Sequence, residues 1–174
     1  MIRIRYIEPV DSNLYEERRK KLLQKIASNE TKIEVCNISL PKELQGPMLP
    51  KVPLYINEII REVLKAENDG CDAAIIGCCS DPGLPEAQRA ANIPVIGPLQ
   101  ASASAVAGRG LRLGILCPDE HAWKTTANWL RSNLRYYGLD NTVGPIRFVS
   151  MRSPDENEEL VGTPAAPVCD AHAI

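Results

Sequence analysis

Patterns typical of strands and helices alternate along almost the whole chain, and this alternation constrains the fold more than any other feature. Alternating apolar and polar residues predict a strand over Ile2–Ile7. Apolar residues at helical spacing from Ile56 to Leu64 predict a helix, and the apolar run Asp72–Cys78 predicts a strand covered on both faces. Such βαβα order is typical of parallel sheets with helices on both sides. We therefore predict an α/β fold with about six strands.

The remaining elements follow the same alternation, and the pattern restarts between Gly97 and Gly110. We therefore expect a first α/β lobe over residues 1–98 and a partial second lobe over residues 99–161. Residues 162–174 contain two prolines and no periodicity, and we expect a disordered tail there. The further predicted elements are a helix after Asn13, a strand over Ile33–Ile38, a loop over Pro41–Pro53, a helix over Pro85–Ala91, a strand over Ile93–Ile96, a helix over Ala101–Ala107, a strand over Leu111–Leu116, a helix over Trp123–Tyr137 and a strand over Ile146–Met151.

Composition excludes several classes of partner. The chain is 44% hydrophobic and 24% charged with a net charge of −2, as is usual for a soluble globular protein. Its one basic cluster, Arg18–Lys21, lies beside Glu16 and Glu17 and is interpreted as a solvated helix face. We therefore expect no nucleic-acid partner and no membrane partner. The N-terminus lacks a long apolar stretch, so we expect a cytoplasmic protein.

The cysteines indicate neither a disulfide framework nor a metal site. No two of them show CxxC spacing, and the chain has only 2 histidines to join them as ligands. We therefore expect no metal and no structural disulfide in a cytoplasmic setting. The six cysteines are Cys36, Cys71, Cys78, Cys79, Cys117 and Cys169.

The best candidate for a functional site is the segment that follows the buried strand over residues 72–78. This strand ends at Cys78, the chain then turns through Asp81-Pro-Gly83, and a helix begins directly after the turn. Ligands of open α/β sheets bind beyond the carboxyl ends of the strands. Backbone N–H groups of such a turn favour an anion, so we expect Cys78 to be more acidic than a free cysteine. Two alternatives stay open: Cys78 and Cys79 are merely small buried residues, or they form a strained disulfide with each other.

Three segments of the chain resemble a known family. The segment DAAIIGCCSDPGLPEAQRAANIPVIGP (72–98) resembles the aspartate/glutamate/hydantoin racemase superfamily, in particular its hydantoin-racemase branch, where a strand ends in Gly-Cys and Asp-Pro-Gly-Leu follows. The opening IRIRYIEPVDS resembles the first strand and carboxylate loop of that family, and RLGILCPDEHAW resembles the strand that opens its second lobe. The similarity covers about residues 1–161.

The resemblance implies a two-lobed α/β fold of the Asp/Glu racemase type and a cofactor-independent isomerase. Each lobe of such an enzyme supplies one cysteine, and the two thiols exchange a proton on opposite faces of a carbon atom α to a carbonyl group. Cys78 matches the cysteine of the first lobe and is the expected catalytic residue. Asp11, Ser12, Cys79 and Ser80 are the expected substrate-binding residues. The expected partner is a small molecule, an amino acid or a hydantoin-like compound, and a homo-oligomer is an open alternative to a monomer.

The sequence departs from the family pattern in two places. The carboxylate loop commonly reads Asn-Pro-Asn-Thr, but here it reads Glu8-Pro-Val-Asp-Ser12. No cysteine between Gly110 and Ile174 matches the second thiol, so we expect a C-terminally truncated second lobe and weak racemisation. Two alternatives to an active racemase follow. One is an inactive family member or binding module, and the other is a thiol-redox protein that uses Cys78 and Cys79.

Overall fold

A computed structural model of the chain describes residues 1–10, 16–41, 52–118 and 120–149. Strands and helices alternate through these ranges as the sequence predicts. In chain order, the elements are β1 (Ile2–Glu8), α1 (Glu16–Ile26), β2 (Thr31–Asn37), α2 (Val52–Asn68), β3 (Ala73–Ile76), α3 (Leu84–Ala90), β4 (Val95–Ile96), α4 (Pro98–Ala107), β5 (Leu113–Pro118), α5 (Glu120–Tyr136), a 3₁₀ turn (Asp140–Thr142) and β6 (Val143–Val149).

The strands form two parallel sheets, which confirms the predicted α/β class. The first sheet has the order β2-β1-β3-β4, so β1 and β3 lie at its centre. Ile7 of β1 pairs with Ile76 of β3, and both strands therefore end at the same edge of the sheet. In the second sheet β5 pairs with β6. The crossover from each strand to the next strand of the first sheet runs through a helix wherever that connection is described.

Each sheet has its own apolar core. The first core is formed mainly by aliphatic residues of β1, α2, β3 and α3, among them the fully buried Ile7, Ile59, Ile76 and Leu84. The second core joins α4, α5 and β5 and consists of Leu99, Ala103, Cys117, Leu130 and Leu134. Tyr137, just after α5, packs against both cores and so connects them. In the described ranges, no helix is both long and apolar enough to cross a membrane.

Several predicted boundaries are wrong by two or three residues; α4 begins at Pro98 rather than Ala101, and α5 begins at Glu120 rather than Trp123. Helix α2 begins at Val52, inside the predicted Pro41–Pro53 loop. Pro53 is tolerated there, because N–H groups in the first turn of a helix have no carbonyl partner within the helix. Strand β6 begins at Val143 rather than Ile146. Residues 42–51 and 150–174, which include most of that loop and the predicted tail, lie outside the described residues. The lobe limits at residues 98 and 161 stay predictions.

Candidate functional site

The turn after β3 carries the candidate site at the carboxyl edge of the first sheet. Gly77 continues β3 beside β1, because its N–H donates to the carbonyl of Ile7 at 2.7 Å. Cys78 follows directly, and α3 begins at Leu84. Glu8, the last residue of β1, lies at the same edge. Ligands of parallel α/β sheets bind at this edge, so the position of Cys78 fits a functional residue.

Ser80 is the immediate partner of the Cys78 thiol. The Cys78 Sγ lies 3.1 Å from the Ser80 Oγ, and Ser80 is itself 8% exposed. Burial is the largest influence on the thiol and raises the pKa of Cys78. The hydroxyl and the backbone N–H of Ser80 lower this pKa, whereas Cys79 and Asp81 raise it further. The balance leaves the pKa of Cys78 above its ordinary value.

The expectation that Cys78 is unusually acidic is therefore wrong. Three N–H groups of the turn are already used by the turn itself. Cys78 donates to Ile76, Asp81 donates to Cys78, and Leu84 donates to Asp81, all through backbone N–H and carbonyl groups. Ser80 alone contributes a backbone hydrogen bond to the thiol, and this bond does not offset the loss of water around the sulfur.

The other residues expected in the site are Cys79, Asp11 and Ser12; the second-core cysteine Cys117 was not expected there. Cys79 follows Cys78 in the chain, is exposed and is a free thiol like Cys78, so the two form no disulfide. Cys117 is 3% exposed in the second core, where burial raises its pKa. Asp11 and Ser12 lie outside the described residues. The structure thus brings Cys78 and Ser80 together, beside an exposed Cys79.

Asp81 fixes the turn to the second half of the chain. Its fully buried carboxylate accepts hydrogen bonds from the N–H of Leu99 at 2.9 Å, the N–H of Gln100 at 2.8 Å and the hydroxyl of Tyr137 at 3.2 Å. Asp81 therefore caps the N-terminus of α4. Asn133 of α5 donates from its Nδ2 to the Ser80 carbonyl at 2.8 Å. Two helices thus hold the segment that carries Cys78, and burial raises the pKa of Asp81 despite its three donors.

The sequence predicts Asp81 only as part of an Asp-Pro-Gly turn and does not reveal this role. Two features of the structure fit it. Asp81 has a positive φ of 48°, a conformation that aspartate tolerates better than most residues. At Gly97, a Cβ would lie only 2.5 Å from the Asp81 Oδ1. Gly97 directly precedes α4, and its missing side chain leaves room for the Asp81 carboxylate to approach the helix.

Near Cys78, three side chains form a second cluster. They are Tyr6 and Glu8 of β1 and Arg19 of α1. The Tyr6 ring covers Gly77, where a Cβ would lie 2.6 Å from the tyrosine hydroxyl. The Arg19 guanidinium lies 5.7 Å from the centre of that ring, and its Nη2 lies 3.0 Å from the Glu8 Oε1. The basic cluster predicts a solvated face; Arg19, with its side chain 35% exposed, is instead held by Glu8 and Tyr6.

The Tyr6 ring against Gly77 brings this cluster close to the Cys78 turn, and the thiols affect its titration. Burial and Glu8 raise the pKa of Tyr6, Arg19 lowers it, and Cys79 and Cys78 raise it further. The hydrogen bond to Glu8 raises the pKa of Arg19, and Cys79 contributes in the same direction. Among the described residues, no group of three or more His, Cys, Asp or Glu side chains is arranged to hold a metal ion.

Comparisons with known proteins identify the class of this fold. Allantoin racemase from Klebsiella pneumoniae has a TM-score of 0.71 at 19% identity, over 92% of this chain and 66% of that chain. Allantoin racemase from Pseudomonas fluorescens has a TM-score of 0.74 at 20% identity, over the same 92% and 66%. Maleate isomerase from Pseudomonas putida S16 has a TM-score of 0.57 at 14% identity, over 93% of this chain and 73% of that chain. These similarities show a shared fold of the racemase type.

The family model for Asp/Glu/hydantoin racemases matches residues 12–169. The chain therefore belongs to the Asp/Glu/hydantoin racemase family, as its sequence resemblance predicts. It spans 66% of the length of each allantoin racemase chain. No curated protein matches the chain significantly.

Proposed function

We propose that this chain is a cofactor-independent racemase or isomerase of amino acids or hydantoin-like compounds, with Cys78 as its proton-transferring group. The observation that carries this proposal is the place of Cys78. The thiol follows a central strand of a racemase-type fold, at the carboxyl edge of the sheet, with the Ser80 hydroxyl at 3.1 Å. Family membership supplies the reaction class.

In this proposal, Cys78 in its thiolate form removes a proton from the carbon atom α to a carbonyl or carboxylate group. The C–H bond breaks, an S–H bond forms, and the electron pair moves onto the adjacent oxygen as an enolate. Donors close to that oxygen stabilise the charge. Ser80 favours the thiolate through its hydroxyl and its N–H. Full inversion also requires an acid on the opposite face, whereas proton exchange with solvent on one face requires Cys78 alone.

Exchange of the α-proton therefore tests the role of Cys78 directly. The full chain is incubated in deuterated water with single-enantiomer α-amino acids and 5-substituted hydantoins, and loss of the α-proton signal is followed by NMR. We expect exchange with at least one compound, and we expect Cys78→Ala to slow it by about 10²-fold or more. Cys36→Ala, which removes another partly buried thiol in β2, is the matched control and should leave the rate unchanged.

Two results would contradict the proposal. One is exchange that Cys78→Ala leaves unchanged. The other is the absence of exchange with every compound in the panel while circular dichroism shows a folded chain. Optical rotation of the same samples then distinguishes exchange with retention from racemisation.

A further inference from the structure

The carbonyl of Ser80 accepts a hydrogen bond from a residue 53 positions later in the chain. The donor is the Nδ2 of Asn133, at 2.8 Å. Leu130 and Leu134 of the same helix are buried in the second core and hold α5 in place. Asn133 thus brings a side-chain amide from the second half of the described chain onto the turn that carries Cys78.

This bond and a second one hold a single peptide unit of the turn from both sides. The carbonyl of Ser80 and the N–H of Asp81 belong to the same planar unit. The N–H donates to the Cys78 carbonyl at 3.0 Å, and the carbonyl accepts from Asn133. Asp81 has a φ of 48°, which is less favourable for an L-residue than a negative φ. A bond to each polar group therefore opposes rotation of the unit towards a negative φ at Asp81.

Ser80 passes this constraint on to the sulfur. Its hydroxyl oxygen lies 3.1 Å from the Cys78 Sγ, and the residue is buried. A serine hydroxyl can hydrogen-bond several nearby backbone groups, so its partner depends on the local backbone. If the peptide unit after Ser80 rotates, ψ of Ser80 changes, and the hydroxyl no longer meets the sulfur from a fixed backbone.

We propose that Asn133 is a positioning residue for the Cys78 thiol: its amide holds the peptide unit between Ser80 and Asp81, and thereby the Ser80 hydroxyl against the sulfur. Tyr137, one helical turn later, donates to the Asp81 carboxylate instead, so of these two contacts that of Asn133 leads to Ser80. The relevance of Asn133 to catalysis rests on the proposed function of Cys78, whereas its effect on the thiol is measured without any substrate.

The experiment measures the reactivity of individual thiols as a function of pH. The full chain reacts with iodoacetamide from about pH 6 to about pH 10, a range that spans the ordinary ionisation of cysteine. Mass spectrometry of the peptides gives separate rates for Cys78 and Cys117. Alkylation requires the thiolate, so the midpoint of the Cys78 profile follows its ionisation. Cys117 is 3% exposed in the second core, so its rate reports on unfolding.

Two substitutions at residue 133 and one matched control make the test specific. Asn133→Leu keeps the size and branching of the side chain but removes the donor. Asn133→Ala also removes the donor, and it carries the test if Asn133→Leu does not fold. Asn128→Leu makes the same change at an exposed position of the same helix. No variant alters a titratable group around the turn. These groups are Cys79, Asp81, Tyr6, Glu8, Arg19, Glu86 and Tyr137.

We expect the Cys78 midpoint to move to higher pH by about 0.5 unit or more in both variants at residue 133, which is about a threefold change in the thiolate equilibrium. Asn128→Leu should leave the midpoint in place, and Cys117 should react at its unmodified rate throughout. In the Ser80→Ala background, Asn133→Leu should shift the midpoint by less than about half as much, because the hydroxyl through which it acts is absent.

Several results would overturn the inference. One is a shift below about 0.5 unit in every folded variant at residue 133, or an equal shift in Asn128→Leu. Another is a rise in Cys117 reactivity together with that of Cys78, or the failure of both variants to fold, since either would give Asn133 a merely structural role. A shift that is equally large in the Ser80→Ala background would show that Asn133 acts by another route.

Exchange of the α-proton separates this inference from the proposed function. A shifted Cys78 midpoint with exchange that survives Cys78→Ala would contradict the proposed function and leave the positioning role standing. Exchange that requires Cys78, with an unshifted midpoint in Asn133→Leu, would leave the proposed function standing and overturn the role of Asn133. Where exchange does require Cys78, its pH profile in Asn133→Leu should shift in the same direction as that of alkylation.

Discussion

Gly97→Ala tests whether Asp81 holds the Cys78 turn against α4. The backbone of Gly97 has φ −115° and ψ 140°, an extended conformation that alanine adopts freely, so the substitution introduces no backbone strain. The added Cβ would lie 2.5 Å from the Asp81 Oδ1 and 2.7 Å from the Oδ2. Its three nearest neighbours are all atoms of the Asp81 carboxylate, so the clash falls first on that group.

The magnitude follows from how far that carboxylate must move. An ordinary van der Waals contact begins at 3.4 Å, so the Oδ1 must retreat by about 0.9 Å. The hydrogen bonds from Leu99 and Gln100, now 2.9 Å and 2.8 Å long, would then exceed hydrogen-bond distance. Hydrogen bonds to a charged group contribute about 1.5–3 kcal/mol each, so losing both lowers the free energy of unfolding by about 3–6 kcal/mol. The free energy of unfolding of a domain is typically about 5–15 kcal/mol, so this loss would be a large part of it.

Urea unfolding followed by circular dichroism measures this free energy. Gly114→Ala is the matched control, because no atom of the described residues lies within 4 Å of the Cβ it would add, and it should change the free energy by less than about 0.5 kcal/mol. In the double variant Gly97→Ala/Asp81→Ala the clash is absent, so it should be no less stable than Asp81→Ala alone. A Gly97→Ala variant within about 1 kcal/mol of the Gly114→Ala control would refute the reasoning.

Three further outcomes are expected. Ser80→Ala removes the hydroxyl that lowers the pKa of Cys78, so the pH profile of Cys78 alkylation by iodoacetamide should shift to higher pH; an unchanged profile would show that the hydroxyl does not act on the thiol. Tyr137→Phe removes a donor to the Asp81 carboxylate and should lower the free energy of unfolding in urea by about 1.5–3 kcal/mol, whereas a neutral effect would contradict that bond. Hydrogen bonds from Lys32, Arg5 and Arg3 lower the pKa of Glu34 from 4.5 to about 2, so its stabilisation is present above pH 4.5 and is lost as the pH falls towards 2. The melting temperature of Glu34→Gln should therefore fall less than that of the unmodified chain over this range, and parallel curves would contradict the prediction.

The order of elements was predictable because each one leaves a local pattern. The apolar run before Cys78 predicts β3, and the helical spacing of Ile56 to Leu64 predicts α2. Boundaries were less certain where proline stands near an end, since Pro53 belongs to the first turn of α2 rather than to the preceding loop. Strand order within each sheet depends on long-range pairing and leaves no such local pattern.

The site was predictable at Cys78 but not in its surroundings. A strand followed by a turn and a helix is a local feature of the sequence. By contrast, Asp81 contacts residues 18 and 19 positions later in the chain, and Arg19 contacts a glutamate of β1. Such contacts depend on how helices pack on the sheet. The acidity expected for Cys78 was wrong for the same reason, because the number of free N–H groups and the burial of the sulfur are set by the folded turn.

The raised pKa of Cys78 has two opposite consequences for the proposed proton transfer. Fewer thiols are ionised at neutral pH, which lowers the fraction of chains ready to react. Each thiolate that does form is a stronger base, and a carbon acid is such a weak acid that base strength limits its ionisation. Ser80 moderates the first effect, because its two hydrogen bonds favour the thiolate while the surrounding burial keeps water away from the sulfur. The position of Ser80 is in turn fixed by Asn133, and that of the following residue by α4. In the proposed reaction, the second half of the described chain therefore contributes to the basicity of a thiol that belongs to the first sheet.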